Sequence, residues 1–174
     1  AAREAVNYLY ALGHRKIGYV GTDLKRIFSA DRKAGYMLAL AENNVPFEEN
    51  YYLEMPQVPR EQTDDLRRFL SGKDRPTAVL VSDDILAMAL EKTALELHLR
   101  IPEDLSIISF NNSLFSKLSS PQLTSIDINS RQLGIEAASQ MINHIENPGL
   151  LATKIIVPHF MIERQSCAAP KITE

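Results

Sequence analysis

A single cysteine, Cys167, in 174 residues leaves no room for an internal disulfide framework and suits a reducing cytoplasm. No apolar run is long enough to cross a membrane. No basic, apolar, small-residue leader opens the chain, so export is not indicated. Excess positive charge is also missing: the net charge is -3, which argues against a nucleic-acid surface on this stretch. Gly18 and Gly21 lack the GxGxxG or GxxxxGK[ST] context that cradles phosphates. The four histidines (His14, His98, His144, His159) are scattered, without HExxH spacing or an acidic cluster, so neither a metal nor a cofactor is expected. Ser106, Ser109 and Ser113 stand in no GxSxG elbow, and the expectation is a chain that is not an enzyme. No repeat or low-complexity segment occurs.

What is present is an alternation of short apolar runs and longer periodic ones. Ala1 to Leu12 is a helix already under way, with Val6, Leu9 and Tyr10 on one side, and Gly13 stops it. No initiator methionine and no capping side chain precede it, which reads as a chain without its natural N-terminus. Strands are expected at Lys16–Gly21, Tyr51–Met55, around Val79 and Ile107, and at Leu123–Ile128. Helices are expected at Ser29–Asn43 (Met37, Leu38, Leu40 and Ala41 inward), from Pro59 to about Ser71, at Ile85–His98, and at Ser130–Glu146. Thr153–Val157 and Phe160–Glu163 look extended, and the tail from Ala168 looks frayed. Strands alternating with helices predict an α/β fold, a parallel sheet with helices on both faces.

The most informative stretch runs from Arg75 to Asn112. Two apolar strands each end in polar residues, Ser82-Asp83-Asp84 and Asn111-Asn112. Open parallel sheets bind ligands at that carboxyl edge. Asp83 and Asp84 have no partner base or nucleophile motif, so paired catalytic carboxylates are disfavoured. Asp84 instead suits the helix N-terminus, where negative charge meets the positive dipole end. Arg32 reads either as a surface arginine paired with Asp31 or Glu42, or as a planar fork of donors for vicinal hydroxyls. Phe28 reads either as a loop anchor or as an aromatic face turned to a ligand. Asp127 reads either as a solvated strand end or as a further polar ligand.

Six motifs then occur in order: Gly13-His-Arg-Lys-Ile-Gly18, Asp31-Arg-Lys-Ala-Gly-Tyr36, Pro76 to Asp84, Ile101-Pro-Glu-Asp-Leu105, Ser120-Pro-Gln-Leu-Thr-Ser125 and Ile162-Glu-Arg-Gln-Ser166. Together they resemble the effector-binding part of the lactose/galactose repressor (LacI/GalR) family of transcription regulators, from Ala1 to about Ser166. Within it, Phe110-Asn-Asn-Ser-Leu and Asp127-Ile-Asn-Ser look most similar to maltose operon repressors. The resemblance implies a two-lobed, periplasmic-binding-protein-like receptor with a sugar effector in the cleft. It further implies a cytoplasmic homodimer that reaches operator DNA through an N-terminal helix-turn-helix outside this chain. Residues 1–112 would form the main part of the C-terminal lobe, 113–149 a crossover belonging to the N-terminal lobe, 150–167 the return, and 168–174 a tail. The stripe Leu133, Met141 and Ile145 would then lack its sheet, and pack on a neighbouring chain, fold back or be mobile. It implies effector contacts by Arg32, Asp83 and Asn111, with Arg26, Phe28 and Asp127 as further candidates. Many relatives carry aspartate where this chain has Asn111; an amide keeps hydroxyl binding but loses the charged bidentate grip. A receptor serving transport is the alternative implied by the same fold; the Ile162–Ser166 ending favours the repressor.

Overall fold

The computed structural model describes residues 1–22, 27–55 and 63–171. Five short runs form parallel strands: β1 (Ile17–Thr22), β2 (Tyr52–Met55), β3 (Ala78–Val81), β4 (Ser106–Phe110) and β5 (Thr124–Asp127). A sixth, β6 (Phe160–Ile162), adds to β5 antiparallel, giving one sheet in the order β2-β1-β3-β4-β5-β6. The helices are α1 (Ala2–Ala11), α2 (Ile27–Glu42), α3 (Thr63–Ser71), α4 (Asp84–Glu96), the short α5 (Leu114–Leu118) and α6 (Ser130–Glu146). The expected helix start at Pro59 lies outside the described residues.

Every residue of β3 and β4 is buried, because helices cover both sides of a parallel sheet and leave no solvated face to alternate towards. Ile17, Tyr19, Leu80, Ile108 and Phe110 face α1 and α2; Val20, Val79, Val81 and Ile107 face α3 and α4. Gly35 lets α1 and α2 close up, since a Cβ there would stand 2.9 Å from that of Ala2.

The inward stripe of α2 differs from the expected one. Tyr36, Ala39 and Leu40 are buried, while Leu38 and Ala41 face solvent. The Tyr36 hydroxyl donates to the Ile17 carbonyl at 2.9 Å, and this bond rotates the helix so that its aromatic residue, left out of the apolar pattern, leads the stripe.

Residue 113, expected as the start of the crossover segment, is followed by elements joined to this sheet. Residues 114–127 remain with the sheet as α5, packed on α4, and as β5, paired with β4. The chain leaves at Asn129, whose positive φ of 53° opens α6. No residue of α6 is buried, so it does not fold back on the sheet. Residues 153–157 form no strand.

The tail beginning at Ala168 is anchored, not frayed, through residue 171. The His14 ring is buried; Nε2–H donates to the Ala168 carbonyl at 2.9 Å and Nδ1 accepts from the Thr77 hydroxyl at 2.9 Å. The Ala168 amide donates to Ser106 Oγ, and Lys171 pairs with Asp104 at 2.5 Å. Burial lowers the pKa of His14 below its ordinary 6.5, opposed by the Ala168 carbonyl. The folded state therefore favours the neutral ring. That contribution is complete above about pH 6.5 and is lost progressively as pH falls from there through the lower folded pKa. Stability of the wild-type chain should decline over this window, and His14→Gln should show a flatter slope. Urea midpoints from pH 7.5 to 5 test this, and equal slopes would rule the linkage out.

Candidate functional site

The strand order creates a crevice between β1 and β3. From β1 the chain moves out to β2 and returns to β3 on the other side, so α2 leaves over one face and α4 over the other. The carboxyl ends of β1 and β3 are thus left open between diverging helices, the topological switch point at which open α/β sheets hold ligands.

Arg32 projects into this crevice from the second turn of α2, one turn before Tyr36. Its Nη1 donates to the Ser82 carbonyl at the end of β3, and its Nη2 lies 3.4 Å from Asn111 Oδ1. Its guanidinium carbon sits 4.1 Å from the centre of the Phe110 ring, a cation–π arrangement that fixes the fork's plane. Burial lowers the guanidinium's pKa, opposed by Tyr19 and by the carboxylates of Asp83 and Asp84. The surface pairing weighed for Arg32 does not form with Glu42, which binds Arg3 at 2.7 Å instead. Tyr19 lies beside the fork, and Gly21 makes room for it: a Cβ there would come within 2.4 Å of the Tyr19 ring. Burial pushes the Tyr19 phenol up to about 12, so it stays a neutral hydroxyl.

Asp84 stands in the first turn of α4, as expected, but the capping hydrogen bond comes from Asp83. Asp83 is the cap of α4, its Oδ1 accepting from the Leu86 N–H at 2.8 Å. It remains half-buried at the crevice, with Oδ2 3.4 Å from the Ser82 hydroxyl. Asp84 is buried and points across the sheet. Its Oδ1 accepts from the hydroxyls of Ser109 (2.5 Å) and Ser125 (2.9 Å), and its Oδ2 from the Ser113 N–H (2.6 Å). One carboxylate thereby ties α4 to β4, β5 and the start of α5.

Asn111 and Asn112 both adopt positive φ, 97° and 46°, a conformation that asparagine tolerates better than most residues. The turn directs the Asn111 amide N–H to the Ile126 carbonyl at 2.8 Å and its side chain back towards Arg32. Asn112 donates to Asp127 Oδ2 at 2.9 Å and accepts from Arg164, whose Nη1 also holds the Leu123 carbonyl at 2.6 Å. Asp127 Oδ1 accepts from the Asn129 N–H at 2.7 Å, so this side chain shapes the exit from the sheet. Arg32, Asp83 and Asn111 are brought together at the crevice; Asp127 stands beyond β4 and is already doubly engaged. Arg26 and the Phe28 side chain lie outside the described residues.

Sequence reasoning missed Phe110 beneath the arginine, the Asp84 tie, and Asn112 with Arg164. The signal for the tie was Ser109, a hydroxyl inside an otherwise apolar strand; the others carry none, because their partners lie 41 or more residues away.

Comparison with known proteins agrees with this architecture. The family described as periplasmic binding protein-like domain matches residues 6–167. The transcriptional repressor PurR of Photorhabdus laumondii subsp. laumondii is 35% identical over 162 residues, 93% of this chain and 48% of that protein. A structure described as a LacI transcriptional regulator from Bacillus cereus subsp. cytotoxis superposes with a TM-score of 0.91 at 32% identity, over 97% of this chain and 60% of that one. A LacI family transcriptional regulator from Mycobacterium smegmatis gives 0.87 at 28% identity, over 98% and 63%. The chain spans about half the length of the curated relatives it matches. These relatives are transcriptional regulators, not enzymes.

Proposed function

The chain belongs to the periplasmic binding protein-like domain family, and on that premise we propose that it is the effector-sensing part of a LacI/GalR-type transcriptional repressor. The observation that carries the reading is the convergence of Arg32, Asp83 and Asn111 on the β1/β3 crevice. The likeness to regulators along nearly the whole chain favours a repressor over a transport receptor.

The effector is a sugar, of the maltose or maltodextrin class. Arg32 offers a fork of donors, Asp83 a carboxylate oxygen held only by the Ser82 hydroxyl at 3.4 Å, and Asn111 both a donor and an acceptor, a set suited to hydroxyls that donate and accept at once. Arg26 and Phe28, which the family resemblance adds, remain further candidates for effector contact, and Asp127 acts through the exit turn. The far side of the cleft, the operator-binding headpiece and the sheet that receives α6 lie in chain beyond these 174 residues; the exposed Leu133, Met141 and Ile145 support this. Residues 168–171 stay with the C-terminal lobe. The working protein is a cytoplasmic homodimer in which effector binding shifts the lobe orientation and hence operator affinity.

A cleft ligand divides its hydrogen bonds between lobes. Halving the free energy of a micromolar complex leaves about 4 kcal/mol, which is millimolar binding. Calorimetry of this chain with maltose should therefore give saturable millimolar affinity. Micromolar affinity would refute the two-lobe division. A second reading, a purine base, draws on the 35% identity to a repressor named PurR; hypoxanthine binding with none for maltose would replace the sugar by it.

A further inference from the structure

Three positive-φ asparagines stand along one hydrogen-bonded path. Asn111 (97°) and Asn112 (46°) form the turn after β4, and Asn129 (53°) opens α6 where the chain leaves the sheet. Backbone held in this region persists only where its surroundings over-determine it, and it collects at ligand clamps and switches.

The links between these residues are made by side chains. Asn111 Oδ1 stands 3.4 Å from the Arg32 fork in the crevice. Its neighbour Asn112 donates from Nδ2 to Asp127 Oδ2 at 2.9 Å, and the other oxygen of that carboxylate accepts from the Asn129 N–H at 2.7 Å. Asn112 Oδ1 accepts from Arg164, two residues past β6. A carboxylate only accepts and a guanidinium only donates, so the amide between them has a single orientation. One half-buried amide thus touches both the segment that leaves the sheet and the segment that has returned to it. The turn keeps its shape by other means: the Ile126 carbonyl holds the Asn111 N–H at 2.8 Å, and the Ser125 hydroxyl holds the Asn112 N–H at 3.1 Å. The side-chain bonds of Asn112 therefore serve the two crossing segments.

We propose that Asn112 is a positioning residue that couples the crevice to these two segments. What it transmits rests on the effector-sensing reading above; Asn112 itself touches no ligand. When a ligand engages Asn111, the adjoining residue moves with it, and the Asn112 amide carries the displacement to Asp127 and Arg164. Asp127 passes it to Asn129, from which α6 takes its direction. Coupling of this kind travels through contiguous hydrogen-bonded groups.

Glycine and aspartate both tolerate the left-handed backbone at residue 112. Asn112→Gly removes the amide, and Asn112→Asp sets a carboxylate against Asp127 while still accepting from Arg164. Amide NMR of this chain reads the coupling without a ligand. Arg32→Ala should shift the Asn129 and Arg164 amides when Asn112 is present, and by about a tenth as much in the Asn112→Gly background, the non-additivity of linked sites. Asn112→Asp should uncouple Asn129 and spare Arg164, a split that general loosening of the fold would not produce. With maltose as probe, Asn112→Gly should keep the midpoint within about threefold of wild type while the shifts at Asn129 and Arg164 are lost. Equal Arg32→Ala shifts at Asn129 in both backgrounds would overturn the coupling and leave the effector reading standing. A midpoint weakened by about tenfold or more in Asn112→Gly would make Asn112 a ligand contact and overturn it too. No maltose response in wild type, with the ligand-free coupling present, would remove the sugar and uphold the coupling.

Discussion

Replacing Asp84 by alanine should cost about 3–5 kcal/mol of stability, since it strands two buried hydroxyls and one N–H at about 1–3 kcal/mol each, partly relieved by rearrangement. The donors are Ser109, Ser125 and Ser113, on three different elements. A domain of this size has only about 5–15 kcal/mol to lose, so the variant should be marginal at ambient temperature. Asp84→Asn keeps one acceptor oxygen but presents an NH2 to donors, and should fall between the two. Urea titrations of the three proteins measure this. A loss below about 1 kcal/mol for Asp84→Ala would mean that the carboxylate does not tie the sheet to α4 and α5.

Replacing Arg32 by alanine in the intact regulator should abolish the response to effector while operator affinity persists. A charged hydrogen-bonding partner of a bound ligand contributes about 1.5–3 kcal/mol, a tenfold to hundredfold change in affinity. Arg32→Lys should fail almost as fully, because a single ammonium cannot span the Ser82 carbonyl and Asn111 as the planar fork does. Asp83→Ala should also lose the response, with an added stability cost near 1 kcal/mol from the missing helix cap. Reporter titrations with effector, run beside operator-binding assays, separate sensing from DNA contact. An unchanged response midpoint in both alanine variants would remove Arg32 and Asp83 from the site.

The order of strands and helices was legible in the chain because apolar run length and turn residues are local signals. Runs such as Ala78–Val81, too short for a helix and closed by polar residues, marked buried strands and their carboxyl ends, and so placed Asp83 and Asn111 at one edge; Arg32, on a helix, was added only by the family resemblance. The motifs carried the family resemblance on the same local terms. Direction was not legible. Asp83 and Asp84 differ by one position, yet successive helical residues point about 100° apart, and only the hydroxyls of Ser109 and Ser125 decide which aspartate turns inward. The same holds for α2, where the Tyr36 bond to Ile17 sets the rotation. The tail looked free because its partners, His14 and Ser106, lie 154 and 62 residues away. Sequence determined which elements form and where their polar ends fall; tertiary packing alone decided which way each side chain faces, because that depends on donors and acceptors brought together from distant parts of the chain.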